Sequence, residues 1–160
     1  MNRFVRTLLV GTVLSVGCGA AALAVAAPDP VIGTWTLNLD KSKFNPGPAP
    51  KSQTRTYTET ADGISFTVKG VAADGSPINS QSTYKTDGKD YPVTGSPNFD
   101  TLTLKRVNGS TVKSTQKKAG KVVGMSTRSV SGHGKVLTLK SKGTDAKGAS
   151  YDDLYVYDKQ

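Results

Sequence analysis

The residues that could perform acid–base chemistry are few in this sequence and are scattered along it. Its one histidine, His133, lies between two glycines where a turn is expected. A catalytic base needs a fixed orientation beside its acid or nucleophile, which a turn histidine rarely has. Asp62, Asp74 and Asp87 each precede a glycine, where the short carboxylate side chain favours turn formation.

The other carboxylates and the single cysteine form no catalytic or metal-binding pattern. Asp152 and Asp153 are adjacent in a strand-like segment, so their side chains should point to opposite faces. One histidine and one cysteine, Cys18, cannot supply the usual zinc ligands. No glycine-rich loop joins a strand to a helix, as nucleotide sites require. The sequence therefore predicts no enzyme, no metal site and no cofactor.

Aromatic and basic side chains in strand-like segments are better suited to ligand binding. Tyrosine hydroxyls can orient a ligand by hydrogen bonding, and Arg55 and Arg128 could face an anionic head group. The candidate ligand-binding residues are Trp35, Tyr57, Phe66, Tyr84, Arg128, Tyr155 and Tyr157. The alternative is that these aromatic side chains are core residues.

The elements that must position these residues are short strands. Alternating apolar and polar residues rich in Thr, Val, Tyr and Ile recur between glycine turns, with almost no helical periodicity. Asp-Gly or Asn-Gly at 62–63, 74–75, 87–88 and 108–109 predicts tight type I′ hairpin turns. The predicted strands are Ile32–Leu39, Gln53–Thr60, Ile64–Val71, Ile78–Thr86, Lys89–Val93, Asp100–Val107, Ser110–Lys117, Val122–Ser131, Lys135–Lys142 and Ala149–Tyr157.

Ten consecutive hairpin-linked strands predict an all-β, antiparallel up-and-down meander, closed into a barrel of about 8–10 strands because closure removes the exposed edges. If Trp35 points inward, Leu37 and Leu39 share its face. The other inward positions are Ile64, Phe66, Val68, Leu102, Leu104, Leu137 and Leu139. These apolar groups are few for a ten-stranded barrel, which leaves room for ligand or water.

The first residues have the features of an export signal. Arg3 and Arg6 precede an apolar run, and the A-x-A pattern at Ala24 to Ala26 predicts a signal peptide over 1–26 and a single domain over 27–160. The alternative is lipidation at Cys18, which would anchor the chain as a lipoprotein. The predicted location is the periplasm or the exterior, and the predicted state is a monomer.

Charge is unevenly distributed, within a formal net charge of +9. Residues 27–100 carry 7 basic and 8 acidic groups, whereas residues 101–150 carry 11 basic groups and one acid, Asp145. This basic region could bind an anionic envelope polymer or a membrane surface. The alternative is that its lysines only solvate turns and outer strand faces. Few aromatic residues accompany the lysines, which argues against nucleic acid as a partner.

Two motifs resemble known families. Gly33-Thr34-Trp35 is similar to the first-strand motif of calycins, the lipocalins and intracellular fatty-acid-binding proteins. "GTWTLNLDKSKFNPGPAPKS" with "DGKDYPVTGSPN" resembles a family of exported bacterial lipocalin-like proteins of unknown function. Where the fatty-acid binders place an Arg-x-Tyr pair in the last strand, this chain has Tyr155 and Tyr157, and "KSKFNPGPAP" replaces their helical lid.

The resemblance implies a lipocalin-like barrel that binds a small, partly apolar or amphipathic ligand without catalysis. It also implies a structural role for Arg128, because in calycins an arginine from a late strand commonly stacks on the first-strand tryptophan. Such a contact with Trp35 is worth about 1 kcal/mol or more when desolvated.

Overall fold

The computed structural model describes residues 28–160, which form one ten-stranded antiparallel sheet. Each strand predicted from the alternating pattern is present, with ends shifted by at most two residues. The strands are β1 (Gly33–Leu37), β2 (Ser52–Thr60), β3 (Gly63–Val71), β4 (Pro77–Tyr84), β5 (Asp87–Pro92), β6 (Thr101–Asn108), β7 (Thr111–Lys118), β8 (Lys121–Val130), β9 (Val136–Thr144) and β10 (Ser150–Lys159).

The sheet curls into a nearly closed barrel. Its order is β4-β3-β2-β1-β10-β9-β8-β7-β6-β5, so the first and last strands pair and the two edges are β4 and β5. Gln81 of β4 exchanges two backbone hydrogen bonds of 3.0 Å with Thr94, just beyond β5. The Ser82 hydroxyl donates to the Pro92 carbonyl at 2.7 Å. These bonds cover edges that would otherwise expose unpaired backbone groups. The all-β, antiparallel up-and-down barrel predicted from the sequence is confirmed.

The hairpin turns differ from the predicted type. Asp62, Asp74, Asp87 and Asn108 do not have positive φ, so these turns are not type I′. The side chains of Asp74, Asp87 and Asn108 instead accept the backbone N–H two residues on, at 2.9 to 3.0 Å. This local bond fixes the turn without left-handed backbone at the first residue. Two consecutive residues have positive φ at Ala119-Gly120 and again at His133-Gly134.

One end of the barrel is closed by an apolar layer around Trp35. Trp35, Val31 and Leu137 are fully buried, and Val130 is nearly so. The indole Nε1 donates to the Val31 carbonyl at 2.7 Å, so the buried N–H is satisfied. Leu37 is buried as predicted, but the inward orientation predicted for Leu39 is wrong, because β1 ends at Leu37 and Leu39 is 42 % exposed.

The segment predicted to replace a helical lid continues the barrel wall. Lys43 and Leu154 exchange two backbone hydrogen bonds of 2.8 Å, and the Asn45 carbonyl accepts the Asp152 N–H at 2.8 Å. The Phe44 ring packs edge-on against Tyr155, with centroids 5.0 Å apart. Within residues 28–160 the one helical element is the single turn Gly132–Gly134. The chain therefore enters β2 along β10, without an inserted helix.

The predicted signal peptide, with its cleavage site at Ala26 and the alternative lipidation site at Cys18, lies outside the described residues. No helix in the described part of the chain is long or apolar enough to cross a membrane.

The contact between β4 and the segment after β5 gives a test of barrel closure. Gly95 has φ of 78°, and a Cβ there would overlap the Asn79 carbonyl oxygen. Gly148 has a similar φ of 84°, but a Cβ would meet open space. Gly148→Ala should therefore cost only the backbone strain, about 1 kcal/mol, whereas Gly95→Ala should cost at least about 2 kcal/mol because the closing strand must also move. Urea unfolding measures both losses, and equal losses would contradict this closure.

Candidate functional site

The barrel interior holds a cavity of about 180 Å³. Strands β2, β3 and β4 supply an aromatic wall, because Tyr57, Phe66 and Tyr84 share the inward face of their strands. Their ring centroids lie 6.0 Å (Tyr57 to Phe66) and 5.9 Å (Phe66 to Tyr84) apart. Strands β6, β7 and β9 supply an aliphatic wall, formed by Leu102, Leu104, Val112 and Leu139.

Arg128 lies at the inner end of this cavity, next to the apolar layer around Trp35. Its guanidinium carbon is 5.0 Å from the ring centre of Tyr57 and 5.9 Å from that of Tyr84. Nη1 donates a 2.6 Å hydrogen bond to the Tyr84 hydroxyl. The side chain is buried, with 8 % of its surface exposed. Ring faces and a phenol oxygen thus hold a cation inside the barrel.

Arg55 forms a second cationic group in the cavity wall. Its Nε donates to the Tyr157 hydroxyl at 2.9 Å, and its guanidinium carbon lies 5.4 Å from the centre of that ring. The Tyr157 hydroxyl in turn donates to Gln53 Oε1. Tyr157 does not line the cavity, but it fixes the orientation of an arginine that does.

Among residues 28–160, neither guanidinium has a carboxylate partner. The ion pairs in the described part of the chain are Lys41–Asp158, Arg106–Asp29 and Lys117–Asp90, none of which involves Arg55 or Arg128. A buried charge is costly unless it is paired or well hydrogen-bonded. Each guanidinium carries five N–H donors. Arg55 shares its Nε–H between Tyr157 and Gln53 Oε1, and Arg128 donates through Nη1 to Tyr84. The Tyr57 hydroxyl also interacts with both guanidiniums. The remaining N–H donors are available to hydrogen-bond an anion or water.

The two arginines alter the acidity of the surrounding tyrosines. Burial raises the pKa of Tyr84 to about 12, although Arg128 acts in the opposite direction. Burial also acts to raise the pKa of Tyr57, but Arg55 and Arg128 outweigh it, and the pKa is lowered. Burial, and then the Asp153 carboxylate, raise the pKa of Tyr155. Tyr84 and Tyr155 are therefore neutral hydrogen-bonding groups at neutral pH.

The end of the cavity away from Trp35 is polar. Ser114 and Ser126 share a 2.6 Å hydrogen bond, and the Tyr151 hydroxyl donates to Gln116 Oε1 at 2.8 Å. The Tyr155 hydroxyl donates to Asp153 Oδ2 at 3.1 Å. The other Asp153 oxygen accepts the Asn45 N–H at 3.0 Å. The site is thus amphipathic, with cations deep inside, apolar walls and hydrogen-bonding groups at its outer end.

The structure brings together five of the seven predicted binding residues. The cavity is lined by Tyr57, Phe66, Tyr84, Arg128 and Tyr155, but not by Trp35 or Tyr157. Sequence reasoning did not select Asp153, Gln116, Tyr151 or the serines of β7, β8 and β9 as binding residues. Strand alternation could have identified the serines, because Ser126 is two residues from Arg128 and Ser141 is two residues from Leu139, so each pair shares a face.

The predicted stacking of Arg128 on Trp35 is wrong. Lys159 lies over the indole instead, with Nζ 5.1 Å from the ring centre. The register explains the difference, because Lys159 is paired directly with Trp35. Val130, not Arg128, pairs with Leu137 beside the Trp35 layer, and Arg128 pairs with Leu139, two residues farther along the strand. Arg128 therefore points into the cavity, and Trp35 closes the barrel end without it.

His133 and the carboxylates match the sequence interpretation. His133 is exposed in the turn after β8, with φ of 70°. Asp152 is exposed and Asp153 faces the cavity, as alternation predicts for neighbours in a strand. Within residues 28–160, no three His, Cys, Asp or Glu side chains are grouped as metal ligands.

Comparisons with known proteins give little beyond this geometry. No protein-family model matches the chain, and no curated protein matches it. Among solved structures, the chain is similar to zebrafish ileal bile acid-binding protein complexed with cholic acid. The two share 12 % identity with a TM-score of 0.48, over 82 % of this chain and 99 % of that chain. A likeness of this size does not bear on ligand or activity.

The raised pKa of Tyr84 makes stability depend on alkaline pH. The ordinary value is 10.0, so between pH 10 and 12 the folded chain holds a proton that the unfolded chain has lost. The free energy of unfolding should be unaffected by this group below pH 10 and should fall as pH rises to 12. Each pKa unit corresponds to about 1.4 kcal/mol, so Tyr84→Phe should flatten this fall by roughly 1–3 kcal/mol.

Denaturant titrations at pH 9 to 12 measure the effect. Tyr57→Phe is the matched comparison. The pKa of Tyr57 is lowered, so ionisation of this tyrosine stabilises the folded chain as pH rises, and its removal should make the free energy of unfolding fall more steeply. Parallel curves for the wild type and Tyr84→Phe would contradict the assigned environment.

Proposed function

We propose that this protein is a non-enzymatic, exported binding protein for a small amphipathic anion. The observation that carries the proposal is the pair of interior guanidiniums, Arg128 and Arg55, which have no carboxylate within 4.0 Å among the described residues. The apolar part of the ligand lies between the aromatic and aliphatic walls, and its anionic group meets Arg128.

The energetics of burial support an anionic ligand. A cation in a low-dielectric interior gains more from a bound anion than a surface lysine does, because water screens it less. The phenol and ring contacts of Arg128 stabilise the charge only in part. A ligand anion would form charge-assisted hydrogen bonds, which are roughly twice as strong as neutral ones.

The chemistry of the site favours binding over catalysis. The tyrosines with raised pKa, Tyr84 and Tyr155, are weakly acidic and hold their protons at neutral pH. His133 is exposed and does not line the cavity. Tyr57, the lining tyrosine with a lowered pKa, interacts with the guanidiniums of Arg55 and Arg128 and not with a nucleophilic side chain. The cavity therefore offers hydrogen bonds and charge, without the nucleophile–base pair that covalent catalysis needs.

Export remains a proposal based on the first 26 residues. We infer cleavage near Ala26 and a periplasmic or secreted location, with lipid anchoring through Cys18 as the alternative. The mass of the mature protein decides between them, because a first residue of Ala27 would exclude a chain that begins at a lipidated Cys18.

A second candidate function is supported by the outer face of β6 to β9. Lys105, Lys113 and Lys140 are exposed in one row of the sheet register, with Thr127 between the last two. Within residues 28–160, no carboxylate lies within 4.0 Å of their ammonium groups. Lys105 and Lys113 are directly opposite each other, where like charges repel. A bound anionic polymer would relieve that repulsion.

Removing the interior cation tests the proposed function. The wild-type protein should bind saturably a small anionic compound from an extract of the cells that produce it, detected by native mass spectrometry. Arg128→Gln should bind it at least tenfold more weakly, because the buried charge partner is lost. The double variant Lys113→Gln/Lys140→Gln is the matched control and should bind it normally. Undiminished binding by Arg128→Gln, or no saturable binding by the wild type, would refute the proposal.

The same variants test polyphosphate binding at the outer surface, where the lysine variant and not Arg128→Gln should lose affinity. Polyphosphate should bind the wild type with an affinity that falls steeply as salt increases, since its counterions are released on binding. The double lysine variant should bind polyphosphate severalfold more weakly and with a shallower salt dependence, whereas Arg128→Gln should be unchanged. Equal affinities for the wild type and the lysine variant would exclude this surface.

A further inference from the structure

We propose that the ligand is a planar, single-ring aromatic monoanion, such as a hydroxylated benzoate, bound with its carboxylate toward Arg128. The inference rests on the proposed function and specifies the chemical class of the ligand.

The size of the cavity limits the ligand to about one ring. Its volume is about 180 Å³, close to the roughly 150 Å³ of an engineered apolar cavity that binds benzene. Pockets for drug-sized ligands span about 300–1,000 Å³. A long alkyl chain or a polycyclic acid would exceed this volume, and part of it would have to extend out of the open end of the barrel, away from both walls.

The two walls suit a flat ring. Tyr57, Phe66 and Tyr84 present a continuous aromatic wall with neighbouring centroids about 6 Å apart. Leu104 and Leu139 belong to the aliphatic wall of the same cavity. An aromatic ligand can make offset or edge-to-face contacts with such a wall, which add to the area it buries.

The inner end of the cavity suits a planar carboxylate. The guanidinium of Arg128 is held over Tyr57 and bonded through Nη1 to the Tyr84 hydroxyl. A planar guanidinium can donate two parallel hydrogen bonds to a carboxylate, a geometry that an ammonium group lacks. Because two protein contacts fix the plane of Arg128, its remaining donors have a defined direction.

The outer end of the cavity argues against a second negative charge and favours a hydroxyl group. The Asp153 carboxylate lines the cavity and already accepts hydrogen bonds from Tyr155 and Asn45. A second ligand anion there would meet a like charge. A ligand hydroxyl could instead exchange hydrogen bonds with the Ser114–Ser126 pair or with Gln116. A hydroxyl opposite the carboxylate would thus match both ends of the cavity.

Calorimetric titration of the full mature chain with three probes tests this assignment. The probes are 4-hydroxybenzoate, its neutral analogue 4-hydroxybenzyl alcohol, and dodecanoate. We expect 4-hydroxybenzoate to bind at least tenfold more tightly than either of the others. Equal binding of the alcohol would overturn the anionic assignment. Preferential binding of dodecanoate would overturn the single-ring assignment while leaving the proposed function intact, and failure of all three to bind, together with no ligand from the cell extract, would overturn both.

Two variants separate the head-group contact from the ring contact. Arg128→Lys keeps the positive charge but loses the planar guanidinium that can donate two parallel hydrogen bonds, and it should weaken 4-hydroxybenzoate binding at least fivefold. Phe66→Leu keeps an apolar group but removes the ring, and it should weaken 4-hydroxybenzoate binding about threefold or more. Lys113→Gln, on the outer face of β7, is the control and should bind normally. Circular dichroism confirms that each variant is folded, and unchanged affinity in both folded interior variants would refute the inference.

Discussion

The placement of a guanidinium inside the barrel is the constraint on which the rest of the site depends. Arg128 is buried between the rings of Tyr57 and Tyr84, and its Nη1 donates to the neutral phenol of Tyr84. A cation in such a position polarises its surroundings, which lowers the pKa of Tyr57 and opposes the effect of burial on Tyr84. Ring faces lower the cost of burying this charge, and they leave most of its donors available to an anion.

Barrel closure makes this interior available. The meander pairs its first and last strands, and Gln81 and Thr94 join the remaining edges. The Trp35 layer closes one end, with the indole N–H satisfied by Val31. The large apolar side chains, which stabilise the fold, lie at the closed end and in the walls. Polar groups can then occupy the other end, where Asn45 and the last strand meet.

Strand existence, order and direction were predictable from local patterns, whereas turn types and side-chain partners were not. Asp-Gly and Asn-Gly located the hairpins correctly, but their type depended on whether the Asx side chain bonded to the backbone two residues on. Alternation placed Phe66, Leu104 and Leu139 inside. The error at Leu39 arose because β1 ends two residues earlier than its apolar pattern. Nothing in the local sequence marks that end, since pairing with β10 determines it.

The local sequence pattern is sufficient to specify an all-β meander, because a side-chain period of two and glycine-containing turns act over a few residues. It also places Arg128 on the same face as Ser126 and Val130. Which groups that face contacts depends on the packing of the whole barrel. The register of β1 against β10 set Lys159, and not Arg128, over Trp35, and barrel closure brought Tyr57 and Tyr84 to the guanidinium from distant parts of the chain. Contacts of that kind depend on strand stagger and barrel closure, which are properties of the whole sheet.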